Sequence, residues 1–207
     1  DTAMDITLFT RQGVERIQRF AFEIARSRPR KLLTLVTKSN AQRHGMVMWD
    51  EIFEEISQDY RDITTDKMLV DAMTTRMVLD PQSIDTVVAS NLHADILTDL
   101  AASLSGSMGI APTGNLDPEK RHPSMFEPIH GSAFDIMGQG IANPIGSYWS
   151  AVMMLENLGE LKASQRLMSA IEKLTSDKKI LPKDLGGKSS TKEVTKAMIN
   201  IILGKNK

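Results

Sequence analysis

The 207-residue chain contains no cysteine. Disulfides, thiolate catalysis and cysteine-ligated zinc are therefore excluded. It lacks an excess of charge of either sign: Lys+Arg is 25 against Asp+Glu 26, a net charge of −1. Nothing in that balance points to nucleic acid, and no acidic tail is present. No apolar run approaches the roughly 18–20 residues needed to span a bilayer. No signal peptide opens the chain. These absences fit a cytoplasmic protein that binds neither membrane nor nucleic acid. The composition that remains, 41% hydrophobic and 25% charged, is that of an ordinary globular protein. The first residue is Asp1, and the opening DTAMDITLFT carries no start signal. We therefore expect a partial or processed chain.

Familiar catalytic signatures are missing as well. There is no G-x-G-x-x-G; GQGIAN (138–143) places Asn143 where the third glycine belongs. GGKSS (186–190) resembles the end of a phosphate loop, but Pro182 occupies the position of its first glycine. The histidines His44, His93, His122 and His130 form no i,i+4 pair, so a histidine-based zinc site is not expected. No serine lies in G-x-S-x-G. The 13 methionines scatter through predicted helices and read as soft core filler.

Strands and helices alternate, which predicts an α/β architecture. A helix is predicted over 11–27, with Val14, Ile17, Ala21, Ile24 and Ala25 on its inner face. KLLTLVT (31–37) reads as a buried strand. A helix follows near 45–60, then a weak strand at 61–65, a helix near 67–77 and a strand in IDTVVAS (84–90). The next helix, about 92–105, is expected to turn Ile96, Leu100 and Leu104 inward. The stretch 105–147 is rich in glycine and proline and reads as loops and short strands, the usual seat of binding residues. Three helices close the chain, near 146–158, 161–176 and 190–203. The last opens on a capping box, Ser190-x-x-Glu193.

Three constellations carry possible chemistry. Asp95 and Asp99 lie four apart in NLHADILTDLAA (91–102), so both carboxylates project from one helical face. A hard divalent cation, Mg²⁺ or Mn²⁺, would relieve their repulsion; a solvated acidic face is the alternative. The helix is otherwise almost uncharged, so we expect it to be well buried and its carboxylates to need a partner. Lys38, in VTKSNAQ (36–42), ends a predicted strand, where ligand sites of α/β proteins gather. It reads either as a base or as a surface lysine. FEPIHGSAFDIMGQGIANPIGS (126–147) combines acidic, histidine and asparagine side chains with glycines that admit a ligand close to the backbone. An acidic residue there can accept the ribose hydroxyls of NAD and repel the extra phosphate of NADP. A plain surface loop is the other reading.

Together these segments resemble a known family. RxAFEIARSR (19–28), VTKSNAQ, LVDAM (69–73), NLHADILTDLAA, GIAPTGN (109–115), the 126–147 loop and TKEV (191–194) occur in the order found in the metal-dependent β-decarboxylating dehydrogenases of 2-hydroxy acids. That family includes the isopropylmalate, isocitrate and tartrate/D-malate dehydrogenases. TKSNAQRHGMVMWDEIF and MFEPIHGSAFDI look most like the tartrate/D-malate branch, whereas isopropylmalate enzymes usually read K-A-N where this chain has Lys38-Ser39-Asn40.

The resemblance implies site residues. Asp71, Asp95 and Asp99 match the metal-binding aspartates, for Mg²⁺ or Mn²⁺. Lys38, with Asp71 beside it in the catalytic set, matches the lysine that assists removal of the substrate hydroxyl proton. Asn40 matches a residue near the nicotinamide. Glu127, His130, Gly131, Ser132, Ala133, Asp135 and Asn143 match the adenosine-binding loop, and Asp135 favours NAD. The implied fold is the family's own doubly wound α/β sheet with a smaller dimerising domain, its N-terminal part missing. Residues 1–105 would be most of the smaller metal and substrate domain, and 106–207 the C-terminal half of the cofactor domain. A homodimer would share the site, with Lys38 and Asp71 from one subunit and Asp95 and Asp99 from the other. The implied activity is NAD-dependent oxidation, with decarboxylation, of a small 2-hydroxy dicarboxylic acid such as tartrate or D-malate. Oxidation of 3-isopropylmalate is one alternative. An inactive truncated domain that only dimerises is another. Against the family pattern, the first strand and glycine turn, the substrate-gripping arginines and the proton-donating tyrosine are missing. We therefore expect this chain alone to be inactive.

Overall fold

The computed structural model describes residues 1–205. The chain folds as two compact units, Asp1–Ala101 and the remainder from Ala102 on.

The first unit is built on a three-stranded parallel sheet of order β2-β1-β3. Its strands are β1 (Leu32–Thr37), β2 (Thr64–Leu69) and β3 (Thr86–Val88). The helices are α1 (Arg11–Ser27), α2 (Gly45–Ser57), α3 (Val70–Leu79) and α4 (Asn91–Leu104). β1 is central, and its side chains alternate between two cores, as the two-residue strand period requires. Leu33 and Leu35 join Val14, Phe22 and Ala25 of α1 and Trp49, Ile52 and Phe53 of α2. Val36 faces the other way and packs with Met73 of α3 and Leu97 of α4. Helices on both faces make the sheet doubly wound, and its middle strand is apolar on both sides.

Three expectations need correction here. On α1 the buried face is Val14, Gln18, Ala21, Phe22 and Ala25, whereas Ile17 and Ile24 are exposed. Gln18 enters the core because its Nε2 donates to the Trp49 carbonyl at 2.9 Å. The weak strand lies at Thr64–Leu69 instead of 61–65, because all six of its residues pair with β1. As an edge strand it tolerates Asp66 and Lys67, and α3 starts correspondingly later. On α4 the buried residues are His93, Leu97 and Ala102. Ile96 is 53% exposed and Leu104 47%. Packing against Val36 and Met73 selects the arc of α4 that contains Leu97.

The second unit pairs β4 (Pro112–Asn115) with β5 (Met125–Pro128) in antiparallel register. The helices α5 (Ile145–Asn157), α6 (Leu161–Asp177) and α7 (Thr191–Ile202) bury Ile145, Val152, Ile171, Leu174, Val194 and Met198 together. Both halves of the capping box form: Glu193 N donates to Ser190 Oγ at 3.3 Å, and Ser190 N donates to Glu193 Oε2 at 2.8 Å. Ser190 also holds the Glu193 carboxyl below its ordinary pKa, chiefly through this backbone N–H. Among the described residues, no helix is long and apolar enough to cross a membrane.

Candidate active-site residues

Lys38 is the first residue after the central strand β1. A tight turn follows it, in which Ala41 N and Gln42 N both donate to the Lys38 carbonyl at 3.0 and 2.9 Å. Asp71 lies in the first turn of α3, immediately after β2. Because β1 and β2 are parallel, with Thr37 opposite Leu69, these two residues emerge side by side. Lys38 Nζ donates to Asp71 Oδ1 at 2.5 Å. The lysine side chain is about three-quarters buried, the aspartate largely exposed. The ammonium lowers the Asp71 pKa below the ordinary carboxylate value, mainly through that hydrogen bond. The predicted pair of catalytic side chains is thus brought together from positions 33 apart in sequence. Asn40 lies in the same turn and is exposed.

The neighbouring Ser39 is anchored from below. Its Oγ donates to Asp50 Oδ2 at 2.8 Å. Asp50 is buried on α2 and also faces Lys67 Nζ at 3.4 Å. The turn that carries Lys38 and Asn40 is therefore tied to α2 and β2.

Asp95 and Asp99 are both exposed on α4. This corrects the expectation of a buried helix whose carboxylates need a partner on desolvation grounds. Leu92 and Ile96 stand on the same outer face and are also exposed. Among the described residues, no three His, Asp or Glu side chains converge as a metal site. Asp71 and the Asp95–Asp99 face are two separate partial donor sets. Their chemistry fits Mg²⁺ or Mn²⁺, which take carboxylate oxygens and complete their shells with water and substrate oxygens.

The second unit contains an open groove of about 1050 Å³. Segments 107–109, 130–133 and 140–143 line it, with Asp184 and Thr191. Of the predicted loop residues, His130, Gly131, Ser132, Ala133 and Asn143 line the groove, whereas Glu127 and Asp135 do not. Glu127 lies exposed on β5, opposite Thr113. Asp135 is exposed, and its carbonyl accepts from Gln139 Nε2 at 2.7 Å. Ala133 adopts φ +44°, an uncommon conformation for a residue with a Cβ. The groove's wall is stapled to α7: Thr191 N donates to the Gly140 carbonyl at 2.8 Å, and Thr191 Oγ1 to that of Ala142 at 2.5 Å. Gly109, Gly131, Gly138 and Gly140 in its lining leave room for a ligand beside the backbone, and Met108, Ile136, Met137 and Ile141 give it apolar surface.

Comparison with known proteins identifies the relatives of this arrangement. The family model described as isocitrate/isopropylmalate dehydrogenase matches residues 1–201. The chain belongs to that family. A probable tartrate dehydrogenase/decarboxylase of Agrobacterium vitis is 62% identical over the whole of this chain and 57% of its own length. The decarboxylating D-malate dehydrogenase of Escherichia coli is 46% identical over 95% of this chain and 56% of its own length. The crystal structure of isocitrate dehydrogenase from Methylococcus capsulatus superposes with a TM-score of 0.91 at 39% identity, over 95% of this chain and 58% of that one. The chain thus spans a little over half the length of the curated relatives it matches. It carries the family's doubly wound α/β fold.

Within that fold, sequence reasoning missed Asp184. Asn143 Nδ2 donates to its Oδ2 at 2.8 Å, and Ser107 Oγ donates to the same oxygen. A Cβ on Gly109 would meet Asp184 Oδ2 at 2.6 Å and Asn143 Cβ at 3.0 Å, so a side chain there would push against this bonded pair. Asn143 is engaged at both ends, because its Oδ1 accepts from Ile145 N at the start of α5 at 2.9 Å. Its side chain holds the groove's wall in place. The only local signal for Asp184 was an acidic residue just before the Gly186–Gly187 pair.

Proposed function

We propose that the protein carrying this chain oxidises and decarboxylates a small 2-hydroxy dicarboxylic acid such as tartrate or D-malate, with NAD as oxidant and Mg²⁺ or Mn²⁺ as a required ion. The observation that carries this reading is the Lys38–Asp71 pair at the carboxyl end of a parallel sheet, where α/β proteins place ligands. The tartrate and D-malate names of its relatives supply the substrate class.

Asp71, Asp95 and Asp99 are the ion's protein ligands in this reading. An ion held there would supply Lewis acidity toward the substrate oxygens, and NAD would supply the hydride acceptor. The chain's own side chains do the rest. Lys38, once its ammonium proton has passed to solvent, would take the substrate hydroxyl proton as the free amine. Before an ion is bound, Asp71 holds the lysine at the site through the short hydrogen bond. The Ser39–Asp50 bond fixes the turn that presents Lys38 and Asn40, with Asn40 assigned to the nicotinamide. The groove at 130–143 takes the adenosine half of NAD, with His130, Gly131, Ser132 and Ala133 against it and Asn143 bracing the wall. Asp135 is assigned to the ribose and Glu127 to the adenosine-binding loop on the strength of the family resemblance, although neither lines the groove.

The site is shared between two subunits of a homodimer, Lys38 and Asp71 from one and Asp95 and Asp99 from the other. Two features support this. The aspartates do not cluster among the described residues. The helix face that carries Asp95 and Asp99 also exposes Leu92 and Ile96, a mixed surface suited to a second copy.

The test is NADH formation from D-malate and from tartrate with Mn²⁺, for the wild-type protein and for Lys38→Ala. Loss of a general base lowers turnover by about 10²–10⁴-fold, and the KM for NAD stays near its original value. Equal turnover in the variant overturns the role of Lys38.

A further inference from the structure

One buried polar group beside Lys38 is left unused by this reading. The three parallel strands end along one edge, with Thr37 opposite Leu69 and Leu35 opposite Val88. The chain leaving the central strand at Lys38 therefore runs between the chains leaving its two neighbours. On the β2 side, the first turn of α3 supplies Asp71, which is bonded to Lys38. On the β3 side, the first turn of α4 supplies His93. His93 is only 6% exposed, and its Nδ1 has no hydrogen-bond partner. One turn further on, Leu97 packs with Val36 and Met73, which holds this face of α4 against the sheet. The imidazole thus presents an unpartnered nitrogen in the first turn of α4, on the face that packs against the sheet.

We infer that His93 is a positioning residue for Lys38, its Nδ1 serving as the second acceptor for a lysine N–H when the Asp71 carboxylate is engaged elsewhere. This rests on the proposed roles of Lys38 as base and Asp71 as cation ligand. A lysine has a flexible four-carbon stem and three donors. Once a cation draws Asp71 away, nothing on the β2 side keeps the amine aimed. An acceptor on the β3 side keeps it between the two strand ends and gives the buried imidazole nitrogen the partner it lacks.

The experiment uses neither metal nor turnover. The chain is prepared with ¹⁵N-labelled histidine, and long-range proton–nitrogen correlation spectra are recorded for wild type, Asp71→Asn and Asp71→Asn/Lys38→Met; His93→Phe assigns the signal. Asp71 is exposed, so its replacement leaves the core intact. In wild type the His93 Nδ1 is expected to be unprotonated and free. In Asp71→Asn its resonance moves upfield, as on accepting a hydrogen bond, and adding Lys38→Met abolishes the move. A proton on Nδ1 in wild type, or one unchanged resonance in all three chains, overturns the inference. The result is separable from the proposed function. If calorimetry finds no Mn²⁺ binding, the cation reading falls while the His93 signal stands. If Mn²⁺ binds and the signal never moves, the inference falls alone.

Discussion

The wall of the groove makes a quantitative prediction. Gly109 has an ordinary backbone conformation, outside the left-handed region, so Gly109→Ala is a purely steric change. Its new methyl group would lie 2.6 Å from Asp184 Oδ2 and 3.0 Å from Asn143 Cβ. Overpacking of this kind costs about 1–3 kcal/mol. Asp184→Ala removes the acceptor of Asn143 Nδ2 and Ser107 Oγ. Because Asp184 is exposed, we expect about 1.5 kcal/mol, the low end for hydrogen bonds to a charged group. In the double variant the carboxylate that obstructs the methyl is gone and only the Asn143 contact remains. The two changes should therefore combine to about 1 kcal/mol less than their sum, as for residues in direct contact. Urea unfolding followed by Trp149 fluorescence, in a Trp49→Phe background, reads the second unit by itself. Additivity within about 0.5 kcal/mol would contradict the packing described here.

Other consequences follow from single contacts. Ser39→Ala leaves buried Asp50 without its 2.8 Å donor and should cost the first unit about 1–2 kcal/mol in urea, read through Trp49 in a Trp149→Phe background. Ser190→Ala breaks one half of the α7 cap and should cost the second unit about 1 kcal/mol. Because the folded pKa of Asp71 is depressed, its pairing with Lys38 stabilises the fold above the ordinary aspartate value and is lost as pH falls through the depressed one. Carbon NMR of the Asp71 carboxyl should show a midpoint below the ordinary 3.8, and Lys38→Met should bring it back towards that value; a midpoint unmoved by the variant speaks against the bond. Gly187→Ala should prevent the 181–190 loop from forming, since a Cβ there would lie 1.9 Å from the Leu181 carbonyl oxygen, and loss of amide-exchange protection at Ser189 would report it.

The elements themselves were readable from periodicity. β1, α1, α2 and the three C-terminal helices carry strong apolar patterns, and the Ser190–Glu193 box marks the start of α7. Which stripe of a helix turns inward was not readable. Ile17 and Gln18 are adjacent, and Gln18 is the buried one, its amide nitrogen donating to a carbonyl on another helix. Ile96 is more apolar than His93, yet His93 is buried and Ile96 exposed. β2 is held by pairing with β1 and has little apolar signal of its own. The same limit applies to the site. Lys38 and Asp71 are 33 residues apart, and only parallel strand register, or likeness to a family, can join them. Asp50 and Asp184 act through tertiary contacts, so no local pattern distinguishes them from surface carboxylates.

The proposal of a cation site shared between subunits is tested most directly by mixing two defective chains. Asp71→Asn keeps Asp95 and Asp99, and Asp95→Asn/Asp99→Asn keeps Asp71. Neither chain alone is expected to bind Mn²⁺ in calorimetry. Mixed in equal amounts and allowed to exchange subunits, they should regain about one quarter of the wild-type stoichiometry, the share of intact sites that random pairing in a two-fold dimer creates. A mixture that binds no better than its components, while wild type binds fully, would contradict a site completed by the second copy.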